Sequence, residues 1–80
     1  MTRHRTPAEL AALREASRLP LREASRRAGH SESHIRAVLA GKVGASPYVL
    51  SSIDHVIVSD ALQQKRHLDQ LVAEFIGGAA

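Results

Sequence analysis

The sequence predicts an all-α fold, a compact single domain of five helices over residues 1–80. Three observations lead to this prediction: apolar residues recur every three or four positions, helix-capping residues precede the periodic stretches, and glycine or proline separates them. The chain contains no cysteine, one tyrosine and one phenylalanine, so its core must be aliphatic and neither disulfides nor thiolate-bound metals can stabilise it. We therefore expect a thin core and stabilisation by oligomerisation.

The first helix is predicted over residues 7–18. Thr6 and Glu9 have the spacing of a capping box, with Pro7 at the first helical position, where its missing N–H costs nothing. Pro20 ends the stretch because the residue before a proline disfavours helical angles. The apolar positions at helical spacing are Leu10, Leu13 and Ala16 or Ser17.

The second and third helices are predicted to begin at Pro20 and Ser31. Gly29 ends the former because glycine tolerates left-handed angles, Ser31 can cap the latter, and Gly41 stops it. The apolar positions are Leu21, Ala24 and Ala28 in helix 2 and Ile35, Val38 and Leu39 in helix 3. Two short helices around one turn glycine are typical of a DNA-binding helix-turn-helix.

The fourth and fifth helices are predicted to begin after Ser46-Pro47 and at Ser59 or Asp60. Residues 56–58 alone would also fit a buried strand, but the helical periodicity around them outweighs that short run. The apolar positions of helix 4 are Tyr48, Val49, Leu50, Ile53, Val56 and Ile57. Those of helix 5 are Leu62, Leu68, Leu71, Val72, Phe75 and Ile76.

Charge is distributed unevenly along the chain. Residues 1–42 carry nine basic and four acidic side chains, whereas residues 43–80 carry two basic and four acidic ones. A basic half suits a polyanion, because neutralising phosphates releases condensed counterions and supplies affinity that does not depend on base sequence. A solvated basic surface without a partner is the alternative.

Several function classes find no support in the sequence. No run of about 18 apolar residues and no apolar signal-peptide core occurs, so we expect a cytoplasmic protein without a membrane partner. We expect no enzyme and no cofactor, since the chain lacks paired carboxylates, a reactive cysteine and a glycine-rich phosphate loop. His30 and His34 lie four residues apart, but no third ligand is near, so we expect no metal site.

The segment over residues 21–40, with its flanking helices, resembles the lambda-repressor-like, or Cro/C1-type, helix-turn-helix family of phage and bacterial transcriptional repressors. In that family a small residue in helix 2 packs against helix 3, a glycine makes the turn, and two aliphatic residues anchor the recognition helix. The residues that match are Ser25 with Ala24, Gly29, and Ile35 with Val38. The resemblance covers residues 6–58 and continues loosely into helix 5, which many relatives use to dimerise.

The chain departs from the family pattern at two places in the motif and at one place before it. The family usually has alanine where this chain has Ser25, and an apolar residue where it has His30. Polar residues that touch phosphate at the start of helix 2 are replaced by Pro20 and Leu21. Arg22 is the candidate substitute, although free backbone N–H groups at a helix N-terminus can also hold a phosphate.

The candidate base-reading residues lie at the N-terminal end and on the outward face of helix 3. They are Glu32, Ser33, His34, Arg36 and Ala37. Arg36 can pair with guanine O6 and N7, Glu32 can accept from a cytosine amino group, and Ala37 can touch a thymine methyl. Glu32 equally fits the positive end of the helix dipole, and His34 can reach either the groove or a phosphate.

The candidate phosphate-contacting residues are Arg22, Ser31, Lys42, Ser46, Tyr48, Arg3 and Arg5. The resemblance implies such contacts around the loop after Gly41 and the start of helix 4, where the side chains suit them. For Tyr48, packing in the core is the alternative that the apolar face of helix 4 favours. Residues 1–5 could form a basic arm into a neighbouring groove, or simply an untethered basic terminus.

Residues 59–76 are predicted to form a dimerisation helix, whose N-terminal part also closes the core. The candidate interface residues are Leu68, Leu71, Val72, Phe75 and Ile76. A homodimer would set two recognition helices about 34 Å apart, one turn of DNA, and imply a palindromic operator. The function expected is a sequence-specific double-stranded DNA-binding repressor of phage or mobile-element type. The alternative is a protein-binding module, such as an antitoxin or antirepressor, whose C-terminal half engages another protein.

Overall fold

The computed structural model describes residues 5–77, and this part of the chain contains four α-helices and no strand. The helices are α1 (Pro7–Ser17), α2 (Leu21–Ala28), α3 (Glu32–Leu39) and α4 (Pro47–Phe75). The all-α prediction is confirmed, and α1 to α3 lie within one or two residues of the predicted positions. The five-helix prediction is wrong, because α4 covers both the fourth and the fifth predicted helix.

Helix α4 continues through Ser59 and Asp60, the predicted caps of a fifth helix. The Asp60 side chain turns into the protein, where the residue is only 5 % exposed, and Oδ1 accepts a hydrogen bond from Arg27 Nη1 at 3.3 Å. It is therefore not free to cap a new helix. Residues 48–76 contain neither glycine nor proline, so nothing in this stretch interrupts the backbone ladder.

The predicted capping residues of α1 and α4 act as expected. Thr6 Oγ1 accepts from the Glu9 backbone N–H at 3.1 Å, and Glu9 Oε1 accepts from the Thr6 N–H at 2.7 Å, which completes a capping box. Ser46 Oγ accepts from the Val49 N–H at 3.3 Å. Helix α2 is the exception, since Pro20 occupies its N-cap position and supplies no side-chain hydrogen bond.

The connection between α1 and α2 carries a core residue that periodicity did not identify. Arg18 adopts a left-handed conformation with φ of 58°, which ends α1 and turns Leu19 inward. Leu19 is only 3 % exposed, and its carbonyl oxygen accepts a hydrogen bond from Arg14 Nη1 at 2.9 Å. This short loop is thus part of the hydrophobic core.

The core lies where α1 and α2 pack against the N-terminal half of α4 and α3 packs against α1 and α2. Its buried members are aliphatic, as expected: Leu10, Leu19, Ala24, Ile35, Val38, Ile53, Val56 and Ile57. The second half of α4 contributes no buried apolar residue, and Leu62 is 53 % exposed although it was predicted to lie on an inner stripe. The domain is therefore elongated, with principal extents of 50 × 31 × 18 Å.

Candidate nucleic-acid interface

The connection between α2 and α3 is three residues long, residues 29–31, and is held by Ser25. The Ser25 carbonyl accepts from the N–H groups of Gly29 at 2.9 Å and His30 at 3.3 Å, and the Ser25 hydroxyl donates to the His30 carbonyl. Gly29 has φ of 75°, a left-handed angle that favours glycine. The hydroxyl of Ser25 therefore does what an alanine could not: it ties the turn to α2 while Ala24 next to it is buried.

Helix α3 is anchored by its cap and by two aliphatic side chains. Ser31 Oγ accepts from the His34 N–H at 3.1 Å, and Ile35 and Val38 are fully buried. At about 100° per residue, the face opposite these two residues belongs to positions 33, 36 and 37. Ser33 and Arg36 are exposed and Ala37 is partly exposed, so the sequence-predicted outward face is the accessible one.

The two sides of this face have different neighbours. Arg36 lies on the side of α1, where it lines a shallow pocket of about 230 Å³ together with Arg14 and Glu15. His34 lies on the side of α4: its ring centroid is 6.0 Å from that of His30, which in turn is 6.4 Å from Tyr48 in an edge-on arrangement. The structure thus joins His34 and Tyr48 through His30.

Tyr48 is 75 % exposed, so the expectation that it packs in the core is wrong. As the second residue of α4, it lies before the turn of that helix that faces the core. Lys42, in the loop before α4, is also exposed. Both side chains are therefore accessible next to the α3 face, whereas the hydroxyl groups of Ser31 and Ser46 are already engaged as helix caps.

Three exposed cations near this face have no ion-pair partner within residues 5–77, namely Arg22, Arg36 and Lys42. Two cations of α2, by contrast, are paired. Arg26 and Arg27 both donate to Glu23, and these hydrogen bonds hold the pKa of the Glu23 carboxyl below its ordinary value. The Glu23 partner in turn raises the pKa of Arg27. Arg22, Arg36 and Lys42 are all among the residues for which the sequence predicted a DNA contact.

Arg5 and Glu32 differ in how the structure places them. Arg5 Nη1 lies 3.2 Å from Asp54 Oδ2 on α4, so this residue rests against the domain, whereas Arg3 lies outside the described residues. An exposed pair of this kind contributes little to stability and can exchange for another anion. Glu32 is half-buried in the first turn of α3 without an ion-pair partner in the described segment, which fits either of its predicted roles.

The predicted dimerisation residues form an accessible surface along the end of α4. Phe75 is 76 % exposed, and Leu71 alone among the five is half-buried. The remaining members, all exposed, are Leu68, Val72 and Ile76. Nothing within residues 5–77 covers the end of this surface.

Residues 5–77 contain no cluster of three or more histidine, cysteine, aspartate or glutamate side chains placed to bind one metal ion. None of the four helices combines the length and the apolar character that crossing a bilayer requires. No family model, curated protein or solved structure matches the chain.

Proposed function

We propose that the chain is a sequence-specific double-stranded DNA-binding regulator of the lambda-repressor-like type, in which α2, the three-residue turn and α3 act as a helix-turn-helix. The observation that carries the proposal is the polarity of α3. Its Ile35 and Val38 side is fully buried, while Ser33 and Arg36 on the opposite side are exposed. A short, rigidly capped helix with an accessible polar face has the dimensions that the major groove admits.

In this proposal α3 reads bases through three kinds of contact. Arg36 pairs with guanine O6 and N7, Ala37 touches a thymine methyl, and Glu32 accepts from a cytosine amino group. Ser33 and His34 complete the reading face. The Arg36 guanidinium is available to enter the major groove of DNA, because it has no acidic ion-pair partner in the described residues.

Phosphate contacts on both sides of α3 would position the domain. Arg22 at the start of α2, and Lys42 and Tyr48 around the start of α4, are exposed and free to make them. Arg5 joins them if phosphate replaces Asp54, and the N–H groups behind Ser31 and Ser46 supply further donors. Such contacts give affinity for DNA of any sequence, and the base contacts of α3 discriminate between sequences.

The regulator is proposed to act in the cytoplasm as a homodimer that occupies a palindromic operator and represses transcription, as phage and mobile-element repressors do. Dimerisation through the exposed end of α4 would set two copies of α3 on successive turns of the same DNA face. The two-fold symmetry of the dimer would then appear as symmetry of the site.

Selection of bound duplexes from a random pool tests this proposal. We expect enrichment of one palindromic sequence, and a steep loss of affinity for it between about 50 and 200 mM salt, because several phosphate contacts release counterions. Absence of any enriched sequence, together with an affinity for DNA that does not change with salt, would refute DNA-binding function.

A protein-binding module is the second candidate, and the exposed apolar end of α4 favours it. This surface could engage another protein, as in an antitoxin or antirepressor. A chain that selects no DNA sequence but forms a stoichiometric complex with a partner from its own genome would support this alternative. The two functions use separate surfaces, so they can also coexist in one protein.

A further inference from the structure

An apolar groove of about 420 Å³ lies between the C-terminal end of α1 and the second half of α4. Leu13 and Ala16 of α1 form one wall, and Ala61 and Leu68 of α4 form the other. The space exists because both Ala16 and Ala61 end at Cβ, so the two helices leave a gap that larger side chains would have filled.

The groove continues into the exposed end of α4. Positions 61, 65, 68, 72 and 75 follow each other at spacings of four and three residues, which places them on one face of the helix. The face therefore runs from Ala61 inside the groove to Val72 and Phe75, which extend past the last residue of α1. At 76 %, Phe75 is the most exposed large hydrophobic side chain of the described segment.

We infer that this groove receives Phe75 of a second copy of the chain, in an antiparallel dimer whose α4 helices cross at Leu68. In such a pair, residues equally far before and after Leu68 face each other. Phe75 comes seven residues after Leu68 and Ala61 comes seven residues before it, so Phe75 of each copy lies opposite Ala61 of the other. A large side chain is thereby matched with a gap between two alanines.

The match between side chain and gap favours the antiparallel orientation. Arg18 and Lys65 line the rim of the groove, and Lys65 pairs with Asp69 of its own helix at 2.8 Å. A parallel pair would instead set Phe75 against Phe75, which leaves both grooves empty.

A second copy fits better than an unrelated protein because the same chain carries both the insert and the gap. The end of α4 also requires support: an isolated helical segment of about 15 residues is marginally stable in water. Two-fold pairing provides that support to both copies at once. This inference rests on the homodimer of the proposed function, but not on DNA binding.

Cysteine crosslinking tests the register, and the chain suits it because it contains no cysteine of its own. The variants Ala61→Cys and Phe75→Cys are prepared separately and oxidised alone or mixed. We expect the mixture to form a disulfide-linked heterodimer about tenfold faster than either variant forms a homodimer, since a disulfide needs Cα atoms about 4.4–6.8 Å apart. Faster linkage of Phe75→Cys to itself would overturn the antiparallel register.

Sedimentation equilibrium tests the contribution of Phe75. We expect Phe75→Asp to weaken dimerisation at least about tenfold. Gln70→Asp, which changes an exposed residue on the side of α4 opposite the groove face, should leave dimerisation unchanged. Circular dichroism checks that both variants stay helical. Equal dimerisation of the two variants, or a monomeric parent chain at 100 μM (about the upper working range for a weak dimer), would overturn the inference.

The outcomes separate this inference from the proposed function. If the chain selects a DNA sequence but fails the crosslinking test, the proposed function is supported and the antiparallel dimer is refuted. If the chain passes the crosslinking test but selects no DNA sequence, the antiparallel dimer is supported and the proposed function is refuted.

Discussion

At the scale of single residues, Gly29 is a position where the backbone rather than the packing opposes a side chain. A Cβ atom built there meets nothing within 4 Å, yet φ is 75°. We expect Gly29→Ala to lower the free energy of unfolding by about 1–2 kcal/mol, the cost of a left-handed angle for an L-residue. Urea denaturation measures the change.

Gly44→Ala is the matched control for this prediction. A Cβ atom at Gly44 also meets nothing within 4 Å, but its φ lies outside the left-handed range. The control should leave stability unchanged or raise it slightly, because alanine restricts the unfolded chain. Equal effects of the two substitutions would contradict the assignment of the cost to φ.

Arg36 is the residue on which base recognition depends most in the proposed interface. We expect Arg36→Ala to cost about 1–3 kcal/mol of binding free energy on the selected operator and to relax base preference at one position of each half-site. Fluorescence anisotropy on the operator and on a scrambled duplex measures both effects.

Arg66→Ala provides the control, since Arg66 is an exposed arginine on α4, far along the chain from the α3 face. It should change affinity for the operator little. If Arg36→Ala weakened binding equally on the operator and on the scrambled duplex, Arg36 would be a phosphate contact instead of a base reader.

Residue roles were predictable where a short-range pattern decides them. The capping box at Thr6 and the caps at Ser31 and Ser46 follow from local spacing alone. The roles of Ser25 and Leu19 were not predictable, because they depend on a hydrogen bond to the next turn and on an arginine that accepts a positive φ. Patterns of three or four residues do not contain that information.

At the scale of the helices, α2 carries a pH-dependent ion-pair cluster. Hydrogen bonds from Arg26 and Arg27 hold the pKa of Glu23 below its ordinary value near 4.5. The contribution of Glu23 to stability is therefore complete above about pH 4.5 and is lost as the pH falls through its lower pKa in the folded protein. We expect Glu23→Gln to reduce the loss of Tm on acidification from pH 5 to pH 3, the window in which a carboxyl of this kind titrates.

Thermal unfolding followed by circular dichroism across this range measures the effect. Glu15→Gln is the control, because Glu15 has no ion-pair partner in the described residues. If Tm fell as steeply between pH 5 and pH 3 in Glu23→Gln as in the parent chain, other carboxylates would be the cause of the acid sensitivity.

The contact between α2 and α4 depends on a buried carboxylate. Arg27 is the cation that faces Asp60, and Asp60 Oδ2 has no hydrogen-bond partner among the described residues. We expect Arg27→Met to lower Tm by several degrees, because it leaves a buried charge unpaired, and Arg27→Met with Asp60→Leu to recover most of the loss. Tm values from differential scanning calorimetry give the comparison.

Arg26→Met controls for the loss of an arginine from α2, since Arg26 pairs with Glu23 but not with Asp60. It should lower Tm less than Arg27→Met does. If the double variant were as unstable as Arg27→Met alone, the unpaired carboxylate would not be the cause of the instability.

Helix boundaries were predictable where glycine, proline or a capping residue with a free side chain stands. Gly29 and Pro47 mark the ends that the structure has. The break predicted at residue 59 was wrong because serine and aspartate are caps only when their side chains can turn back to the backbone. Asp60 faces Arg27 instead, a partner 33 positions away, and a local pattern cannot reveal such a pair.

At the scale of the whole molecule, the chain divides into a body and an extension. The body holds all the buried apolar residues and the unpaired cations next to α3, whereas the extension is the exposed second half of α4. The charge asymmetry seen in the sequence does not follow this division, because the acidic excess of residues 43–80 comes from Asp54 and Asp60 in the body, while residues 61–80 carry two basic and two acidic side chains. The proposed DNA surface and the proposed dimer surface therefore lie on separate parts of one short chain.

This division makes DNA affinity depend on the spacing of the two half-sites. A dimer joined through α4 holds two copies of α3 at a fixed separation, so both can bind only half-sites that lie on the same face of the duplex. Inserting about five base pairs, half a helical turn, between the half-sites turns one of them away. We expect this insertion to reduce the affinity of the parent chain by a factor of about 100 or more, since one copy must then release its site.

Phe75→Asp separates the contribution of the dimer from that of each body. This variant should bind the original and the lengthened operator with the same weak affinity, because each body then binds a half-site alone. Electrophoretic mobility shifts on the two duplexes at one salt concentration measure all four affinities. A parent chain that binds both duplexes equally would show that the bodies are not rigidly coupled through α4, whereas a spacing dependence retained in Phe75→Asp would place the coupling elsewhere in the chain.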